Sequence, residues 1–297
     1  MNGAPRRILG EMRAALVTAS TLPRPDPDLP LLVDAFRTRG VEASVVVWDD
    51  PAVRWEDFGV VVVRSTWDYL EKLSRYEAWI DSTARATRLV NAAPVLRWNI
   101  HKRYLLALAD AGAPVVSTEL VVAGSEPDWN ALFARFGDLV LKPAISAGSF
   151  ATVRIAAGDA GAARAHLARR DGGGLPSRDF LVQPLLRSVL ETGESNLVCF
   201  GGTFSHAVRK GARWEGDAEQ SRERIDPAPD ELAAAAAVFA AFERLGLGVP
   251  AYARIDLARG PDGVPLLMEA EVLEPALFLD RAPRAAPMLV DCVLNAF

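Results

Sequence analysis

Three carboxylates and one guanidinium in the last third of the sequence could bind a metal ion. Arg254 and Asp256 lie two residues apart in one apolar segment, and Glu269 and Glu271 lie two residues apart in the next. Residues i and i+2 of a β-strand face the same side of a sheet. If the two strands pair, the carboxylates converge, and they repel one another unless a hard cation such as Mg²⁺ lies between them. The spacing therefore predicts a magnesium site, and a solvated, charged sheet face is the alternative.

A second set of residues could bind an anion such as a phosphate group. The strand-like run Leu139–Lys142 ends in a lysine, and a loop of mostly small residues follows it. The loop contains Ser146, Ala147, Gly148 and Ser149. Small residues let backbone N–H groups approach an anion closely. Lys102, near a predicted helix start, and Lys210, at a strand end, are further candidates, although each feature alone is also typical of a turn or a solvated surface.

A third segment could contact a purine. Phe180–Leu186 is a strand that runs into an extended, apolar hinge. The backbone C=O and N–H groups of such a hinge, from Gln183 to Leu186, can bind the edge of a purine ring. An edge strand that ends at Pro184 is the alternative.

The composition limits the class of protein that these residues belong to. The 297 residues are 50% hydrophobic and 24% charged, which is typical of an ordinary globular chain with one large or two to three small domains. A net charge of −5 offers no sequence-wide attraction to nucleic acid or to an anionic membrane. The longest apolar stretch, Ala233–Phe242, is shorter than the roughly 20 residues of a bilayer span. Residues 1–13 lack the apolar core of a secretory signal, and Cys199 and Cys292 have no metal-site spacing, so we expect a cytoplasmic protein.

The apolar runs and the helix stop signals predict the elements that hold these residues. Over residues 1–97, strands and helices alternate, which predicts an N-terminal domain with a small, mostly parallel open sheet. Residues 98–186 predict a central α+β subdomain. Residues 187–297 predict a C-terminal α+β subdomain that contains the metal site.

Ser65, Thr66 and Asp68 follow a strand of the predicted N-terminal domain. Open α/β sheets bind ligands at the carboxyl ends of their strands. We therefore expect these three residues to orient a substrate. A helix N-cap region beside a packing Trp67 is the alternative.

Taken in this order, the segments resemble the ATP-grasp superfamily of carboxylate–amine ligases over essentially the whole chain. The resemblance implies an ATP-grasp fold, in which an N-terminal open parallel α/β sheet precedes two α+β subdomains that clamp ATP. It also implies that MgATP converts a substrate carboxylate into an acyl phosphate, which an amine-type nitrogen attacks to give an amide. The expected cofactors are therefore ATP and Mg²⁺, the expected partner is a small amino-acid-like substrate, and the expected assembly is a homodimer.

The resemblance implies a role for each candidate residue. Those for the nucleotide are Lys102 and Lys142 at the phosphates, Ser146, Ala147, Gly148 and Ser149 in a covering loop, Gln183 to Leu186 at the adenine, and Glu194 at the ribose. Those for the reaction are Asp256, Glu269 and Glu271 at Mg²⁺, Arg254 at the acyl phosphate and oxyanion, and Lys210 at the γ-phosphate or substrate. Glu271 replaces the asparagine that the family usually has, and Glu274 lies where many members contact the substrate.

Four motifs narrow the resemblance to the branch that contains the cyclo-ligase forming D-cycloserine from O-ureidoserine. They are Val63–Tyr69, Trp98–Tyr104, Ser205–Lys210 and Glu269–Pro275. The branch implies ring closure within one molecule. An intermolecular amino-acid or dipeptide ligase, a small-molecule kinase and a non-catalytic nucleotide-binding module are the alternatives. The polar segment 211–224 is either a lid, because an acyl phosphate must be kept from water, or a surface loop.

Overall fold

The computed structural model describes residues 12–168, 178–212, 214 and 223–295, and the structural statements below concern these residues. They form three β-sheets with helices packed on them. Short 3₁₀ helices lie between some of these elements, at Trp55–Asp57, Tyr69–Lys72 and Leu279–Arg281.

The N-terminal sheet is parallel and has the strand order β2-β1-β3-β4. Its elements are β1 (Arg13–Thr18), α1 (Asp28–Arg37), β2 (Glu42–Val47), β3 (Val60–Ser65), α2 (Leu73–Ala86), β4 (Arg88–Val90) and α3 (Ala93–Ile100). Successive side chains of β1 and β3 alternate between one core beneath α1 and another beneath α2. Both faces of these strands are therefore buried, which explains their continuous apolar sequence. The predicted open parallel sheet is confirmed.

The central sheet is antiparallel and has the strand order β5-β8-β6-β7. Its elements are α4 (Tyr104–Asp110), β5 (Glu119–Val121), α5 (Trp129–Phe136), β6 (Leu139–Pro143), β7 (Val153–Ile155), α6 (Ala160–Leu167) and β8 (Phe180–Pro184). Asp128 and Asp159 begin α5 and α6, where each carboxylate accepts a hydrogen bond from a backbone N–H of the first turn. The helices α5 and α6 cover one face of this sheet and leave the other to the cavity described below.

The C-terminal sheet is also antiparallel and has the order β11-β10-β9-β12-β13. Its elements are α7 (Arg187–Glu191), β9 (Glu194–Phe200), β10 (Thr203–Lys210), β11 (Glu223–Ile225), α8 (Pro229–Arg244), β12 (Tyr252–Arg259), β13 (Pro265–Glu271) and α9 (Ala285–Asn295). Gly193 has φ +77°, and a Cβ there would lie 2.3 Å from the carbonyl oxygen of Lys210. Only glycine lets β9 begin this close to the end of β10, and the turn brings Glu194 opposite Lys210.

Two polar side chains bind the N-terminal part of the chain to the strands of the C-terminal sheet. Tyr252 lies with its hydroxyl within 3.0–3.2 Å of the carbonyl oxygens of Val63, Val90 and Leu273. The Asn99 side chain donates to the Ala270 carbonyl at 2.7 Å. It also accepts hydrogen bonds from the backbone N–H groups of Val272 and Leu273, which directly follow β13, at 3.0 and 3.2 Å. These contacts fix the end of β13, where the acidic residues lie.

Candidate active site

The pairing of β12 with β13 brings the predicted metal-binding residues together. Arg254 lies opposite Glu271, and Asp256 lies opposite Glu269. One oxygen from each of the three carboxylates lies within 4.8 Å of the others. Oxygen donors at this spacing fit a hard divalent cation such as Mg²⁺, which binds to proteins through a few carboxylates.

Arg254 compensates part of this negative charge. Its Nε and Nη2 atoms donate to the two oxygens of Asp256, both at 2.8 Å, and Nη2 lies 2.6 Å from Glu271 Oε1. Burial lowers the pKa of Arg254, but Asp256 and Glu271 outweigh burial and hold the pKa well above its usual value. Burial raises the pKa of Glu271, with Arg254 opposing the rise. The arginine is therefore a permanent cation at the centre of the acidic cluster.

Glu269 joins the cluster to two lysines. Lys102 Nζ lies 3.0 Å from one oxygen of Glu269, and Lys142 Nζ lies 3.0 Å from the other. Burial acts to raise the pKa of Glu269, but the two lysines dominate and lower it well below its usual range. Burial also acts to lower the pKa of Lys102, and the charges of Glu269 and Glu271 raise it instead. The carboxylate of Glu269 is thus paired with the two lysines that the resemblance assigns to phosphate.

Glu194 and Lys210 form a weaker pair at the start of β9. Their Oε2 and Nζ atoms are 3.9 Å apart. Burial raises the pKa of Glu194, and the charge of Lys210 opposes that rise. Within the described part of the chain, the carboxylate of Glu194 therefore lies in the cavity without a close hydrogen-bonded partner.

The hinge and the small-residue loop line the same cavity as these charged groups. Gln183 is buried, and its side-chain amide donates to Thr118 Oγ1 at 2.9 Å, so its side chain is already engaged. Leu186 precedes α7 and is buried at the cavity wall. In the loop, Gly148 has φ +61° and Ser149 has φ +63°, so two successive residues adopt the left-handed conformation. Such a turn can direct backbone N–H groups towards an anion.

A cavity of about 680 Å³ joins these groups. The strand side of this cavity is lined by the predicted residues Lys102, Lys142, Ser146, Ala147, Gly148, Ser149, Gln183, Leu186, Glu194, Lys210, Arg254, Asp256, Glu269 and Glu271. The loop side is lined by residues that follow β1, β3 and β13, namely Pro23, Arg24, Trp67, Tyr69, Leu70, Leu273, Glu274 and Ala276. Of the predicted substrate residues, only Glu274 lines the cavity. Burial, followed by the charge of Glu271, raises the pKa of Glu274 to about 8.

The other three predicted substrate residues lie behind the cavity wall. Ser65 Oγ is 2.9 Å from Thr18 Oγ1, and Thr66 Oγ1 is 2.7 Å from the hydroxyl of Tyr76. Asp68 accepts hydrogen bonds from Trp48 Nε1 at 2.7 Å and from Lys72 Nζ at 2.8 Å. Their polar groups are thus engaged within the N-terminal part of the chain, and their neighbours Trp67 and Tyr69 reach the cavity instead.

Sequence reasoning missed the residues that join the loop side to the N-terminal sheet. The buried Arg64 donates to the Pro275 carbonyl at 2.9 Å and to Asp28 at 3.3 Å. Asp28 also accepts hydrogen bonds from the N–H groups of Leu277 and Leu279. The sequence did contain a signal, because Arg64 follows four valines in β3. A charged side chain in such an apolar strand requires a partner of opposite charge.

The segment predicted as a lid falls largely outside the described residues, since 213 and 215–222 are among those not described. Trp214 is described and lines the cavity. The guanidinium of Arg154 lies 5.7 Å from the centre of its ring.

Comparisons with known proteins cover most of the chain. The family model "D-cycloserine synthetase DcsG, N-terminal domain" matches residues 14–91. The cycloserine biosynthesis protein DcsG of Streptomyces lavendulae is 36% identical over 294 residues, which cover 93% of this chain and 97% of that protein. The chain belongs to the D-cycloserine synthetase DcsG family. The crystal structure of DcsG superposes with a TM-score of 0.86 at 34% identity, covering 96% of this chain and 99% of that one.

More distant structures share the fold of the DcsG family. D-alanine–D-alanine ligase from Bacillus anthracis, solved with ATP, has a TM-score of 0.66 at 14% identity and covers 96% of both chains. The ATP-grasp ligase PsnB, solved with a minimal precursor, Mg and ADP, has a TM-score of 0.63 at 19% identity and covers 100% of both chains. The predicted ATP-grasp fold is confirmed, and so is the prediction of a ligase that forms C–N bonds. The expected cofactors, ATP and Mg²⁺, agree with the contents of these two structures. Within the described part of the chain, no helix has the length and apolarity needed to cross a membrane.

Proposed function

We propose that this protein is an ATP- and Mg²⁺-dependent cyclo-ligase that closes a ring within one amino-acid-like molecule, as in the formation of D-cycloserine from O-ureidoserine. One observation supports the proposal above all others. A single cavity contains both the cations that suit a nucleotide's phosphates and the carboxylates that suit a metal ion, in a chain 36% identical to a cycloserine biosynthesis protein.

The strand side of the cavity holds the nucleotide in this proposal. The hinge from Gln183 to Leu186 contacts the adenine, Glu194 binds the ribose, and the loop from Ser146 to Ser149 covers the phosphates. Lys102 and Lys142 exchange Glu269 for phosphate oxygens, and this exchange frees the Glu269 carboxylate. Bound by Asp256, Glu269 and Glu271, Mg²⁺ supplies the positive charge that neutralises the phosphate oxygens.

The reaction proceeds in two steps. A carboxylate oxygen of the substrate attacks the γ-phosphorus, the bond to ADP breaks, and an acyl phosphate forms. A nitrogen of the same molecule then attacks the acyl carbon and loses a proton, and inorganic phosphate leaves with the carboxylate oxygen. With O-ureidoserine this nitrogen is the one bonded to oxygen and carries a carbamoyl group. Addition of water must also remove that group, as CO₂ and ammonia, to give cycloserine. Arg254 donates hydrogen bonds to the oxyanion that forms between these events, and such preorganised donors lower the barrier by several kcal/mol. Lys210 contacts the γ-phosphate or the substrate.

The remaining assignments concern the surroundings of the site. We propose that Ser65, Thr66 and Asp68 orient the substrate indirectly, by positioning Trp67 and Tyr69. The segment 211–224 acts as a lid that keeps water from the acyl phosphate. Residues 1–97 form the N-terminal domain, and residues 98–186 and 187–297 are the two subdomains that clamp ATP.

The assembly and location are also proposals. A cytoplasmic homodimer is supported by the resemblance and by the ordinary, weakly acidic composition. Light scattering should give about twice the 32.0 kDa chain mass. A mass equal to one chain would contradict the dimer and leave the cyclo-ligase proposal untouched.

The experiment that tests the function measures ADP release from MgATP over a panel of amino-acid carboxylates, with product masses recorded in parallel. Release with O-ureidoserine alone, together with a cyclised mass, is the expected result. Release that requires two substrates would instead indicate an intermolecular ligase, and a phosphorylated product that resists hydroxylamine would indicate a kinase. No release with any compound would indicate a nucleotide-binding module.

A further inference from the structure

The carboxylate of Glu274 differs from the other acidic groups of the cavity because no basic group of the described residues lies within 4 Å of it. The charges of Lys102, Arg254 and Arg64 act on it only from a greater distance. The others are paired, Glu194 with Lys210, Glu269 with Lys102 and Lys142, and both Asp256 and Glu271 with Arg254. Only the backbone carbonyl of Glu274 accepts a hydrogen bond, from Trp67 Nε1 at 3.2 Å. A half-buried carboxylate without a counter-charge is unfavourable until a cation joins it.

Two aromatic side chains line the loop side of the cavity together with Glu274. Trp67 and Tyr69 line the same wall, and the ring of Tyr69 stacks on Tyr76 at 4.9 Å between centroids. The faces of aromatic rings attract cations. The guanidinium of Arg24 already lies 5.6 Å from the centre of the Trp67 ring. A carboxylate beside aromatic faces is a suitable environment for an ammonium group.

The backbone around Glu274 is held rigidly by the N-terminal part of the chain. Besides the bond from Trp67, the adjacent Pro275 carbonyl accepts a hydrogen bond from Arg64 Nη2 at 2.9 Å. Arg64 is buried, so this bond is shielded from water. A binding group whose backbone is fixed in this way discriminates between ligands better than a mobile one.

Glu274 also lies close to the proposed reaction centre. Arg254, which we assign to the reacting carboxylate, donates through Nη1 to the Ala276 carbonyl at 3.3 Å, two residues beyond Glu274. An α-amino acid carries its ammonium group on the carbon next to its carboxylate. A substrate whose carboxylate is at Arg254 therefore presents that ammonium group to the neighbourhood of Glu274.

We infer that Glu274 binds the protonated amino group of the substrate, so that the enzyme selects a zwitterionic α-amino acid over the corresponding simple carboxylic acid. This inference rests on the proposed function and specifies its substrate class. The ion pair that forms gives the Glu274 carboxylate a counter-charge in direct contact, which no described residue provides within 4 Å. Trp67 and Tyr69 supply the apolar, cation-attracting walls of this subsite.

The test compares two probes that differ only in the amino group, O-ureidoserine and 3-(ureidooxy)propanoic acid. Each is measured with wild type, with Glu274→Gln and with the matched control Glu243→Gln, which changes an exposed glutamate of α8. Binding is measured by calorimetry with Mg²⁺ and a non-hydrolysable ATP analogue, and kcat/KM is measured from ADP release. Calorimetry with the nucleotide alone shows whether the strand side remains intact in each variant.

We expect wild type and Glu243→Gln to prefer the amino compound. Glu274→Gln should weaken binding and kcat/KM for that compound by roughly tenfold or more, as expected for loss of a charge-assisted hydrogen bond, and should leave the des-amino compound nearly unchanged. An equal loss for both compounds, or a preference that survives in Glu274→Gln, would overturn the inference. If wild type uses neither compound, the O-ureidoserine assignment fails by itself. The same comparison is then made with the panel substrate that releases ADP and with its des-amino form. The inference is overturned if wild type shows no preference for the amino form. It is also overturned if no substrate of the panel releases ADP.

Discussion

The strand side and the loop side of the cavity differ in how their charges are balanced. On the strand side, each carboxylate has a lysine or arginine within 4 Å, so the opposite charges of these side chains balance there. On the loop side, no described residue has a basic group within 4 Å of the Glu274 carboxylate, and the lining consists of aromatic rings, apolar residues and Arg24. The strand side thus resembles a set of ion pairs that a charged nucleotide and metal can exchange. The loop side resembles a half of an ion pair that only the right substrate completes.

This difference indicates that the strand side binds MgATP, whereas the loop side selects the substrate. Most groups for MgATP lie on paired strands, where spacing and register fix their geometry, and the exceptions are Lys102 between α3 and α4 and the loop Ser146 to Ser149. Groups for the substrate come from three separate loops, which can vary without disturbing the sheets. Variants on the two sides should therefore fail in different ways.

The largest effect is expected from Glu269→Gln on the strand side. The amide cannot replace the carboxylate either at Mg²⁺ or between the two lysines, so turnover should fall at least about 100-fold. Circular dichroism should show an unchanged fold, and Glu243→Gln should keep wild-type activity. Turnover near the wild-type rate in Glu269→Gln would remove this residue from the metal site.

A smaller loss is expected from Lys142→Met, because the methionine keeps the length of the side chain and loses its charge. The KM for ATP should rise by roughly tenfold or more, since a charge-assisted bond to phosphate disappears. The matched control is Lys72→Met, which removes a lysine that pairs with Asp49 and Asp68 away from the cavity. Equal KM values for ATP in the two variants would contradict the assignment of Lys142.

Asn99→Leu tests the support behind the strand side. The substitution removes the three hydrogen bonds to Ala270, Val272 and Leu273, at and just after the end of β13. The buried backbone groups are left unpaired, which should lower the free energy of unfolding by about 3 kcal/mol. If Asn99 positions the acidic residues as well as stabilising them, the Mg²⁺ concentration for half-maximal activity should also rise. Asn130→Leu, on the exposed face of α5, is the control. A lowered Tm with an unchanged Mg²⁺ requirement would make Asn99 purely structural.

Trp214→Ala should have a modest effect that distinguishes closure from binding. The ratio of ADP released to product formed should rise by about threefold, because water reaches the acyl phosphate more often. The nucleotide affinity should stay close to that of wild type. A ratio that stays at one ADP per product would contradict a covering role for the segment 211–224.

The smallest effect concerns the pH dependence of stability on the loop side. The pKa of Glu274 is raised to about 8, whereas an unfolded glutamate has a pKa near 4.5. Because the folded state then holds the proton more tightly, this group's contribution favours folding below pH 4.5 and is lost as the pH rises through about 8. Glu274→Gln removes this dependence, so its Tm relative to wild type should increase between pH 5 and pH 9. A constant Tm difference over that range would show that Glu274 titrates normally.

The strand side could be predicted from sequence because its chemistry depends on two regular patterns. The i, i+2 spacing of Arg254 and Asp256, and of Glu269 and Glu271, gives one face of a strand, and pairing brings the two faces together. A further signal went unused. The sequence has only four lysines, Lys72, Lys102, Lys142 and Lys210, and the last three line the cavity. In a chain whose other basic residues are arginines, the compact, strongly hydrated ammonium is kept where phosphate is expected.

The loop side could not be predicted in the same way. The polar side chains at the end of β3, those of Ser65, Thr66 and Asp68, are the obvious candidates for substrate contacts in the sequence. Each of them instead forms hydrogen bonds with other residues of the N-terminal part of the chain. The side chains between and after them, Trp67 and Tyr69, reach the cavity because a 3₁₀ helix at Tyr69–Lys72 turns the chain there. Contacts such as Arg64 to Pro275 join residues 211 positions apart, and no local pattern encodes such a pair.

The most direct test of the central claim follows the substrate's oxygen atoms. O-ureidoserine labelled with ¹⁸O in both carboxylate positions is incubated with MgATP and enzyme, and inorganic phosphate and product are analysed by mass spectrometry. If the carboxylate is activated as an acyl phosphate, each phosphate released carries one ¹⁸O, and the cyclised product retains the other. Phosphate without the label, or a labelled carboxylate recovered intact beside ADP, would contradict the account.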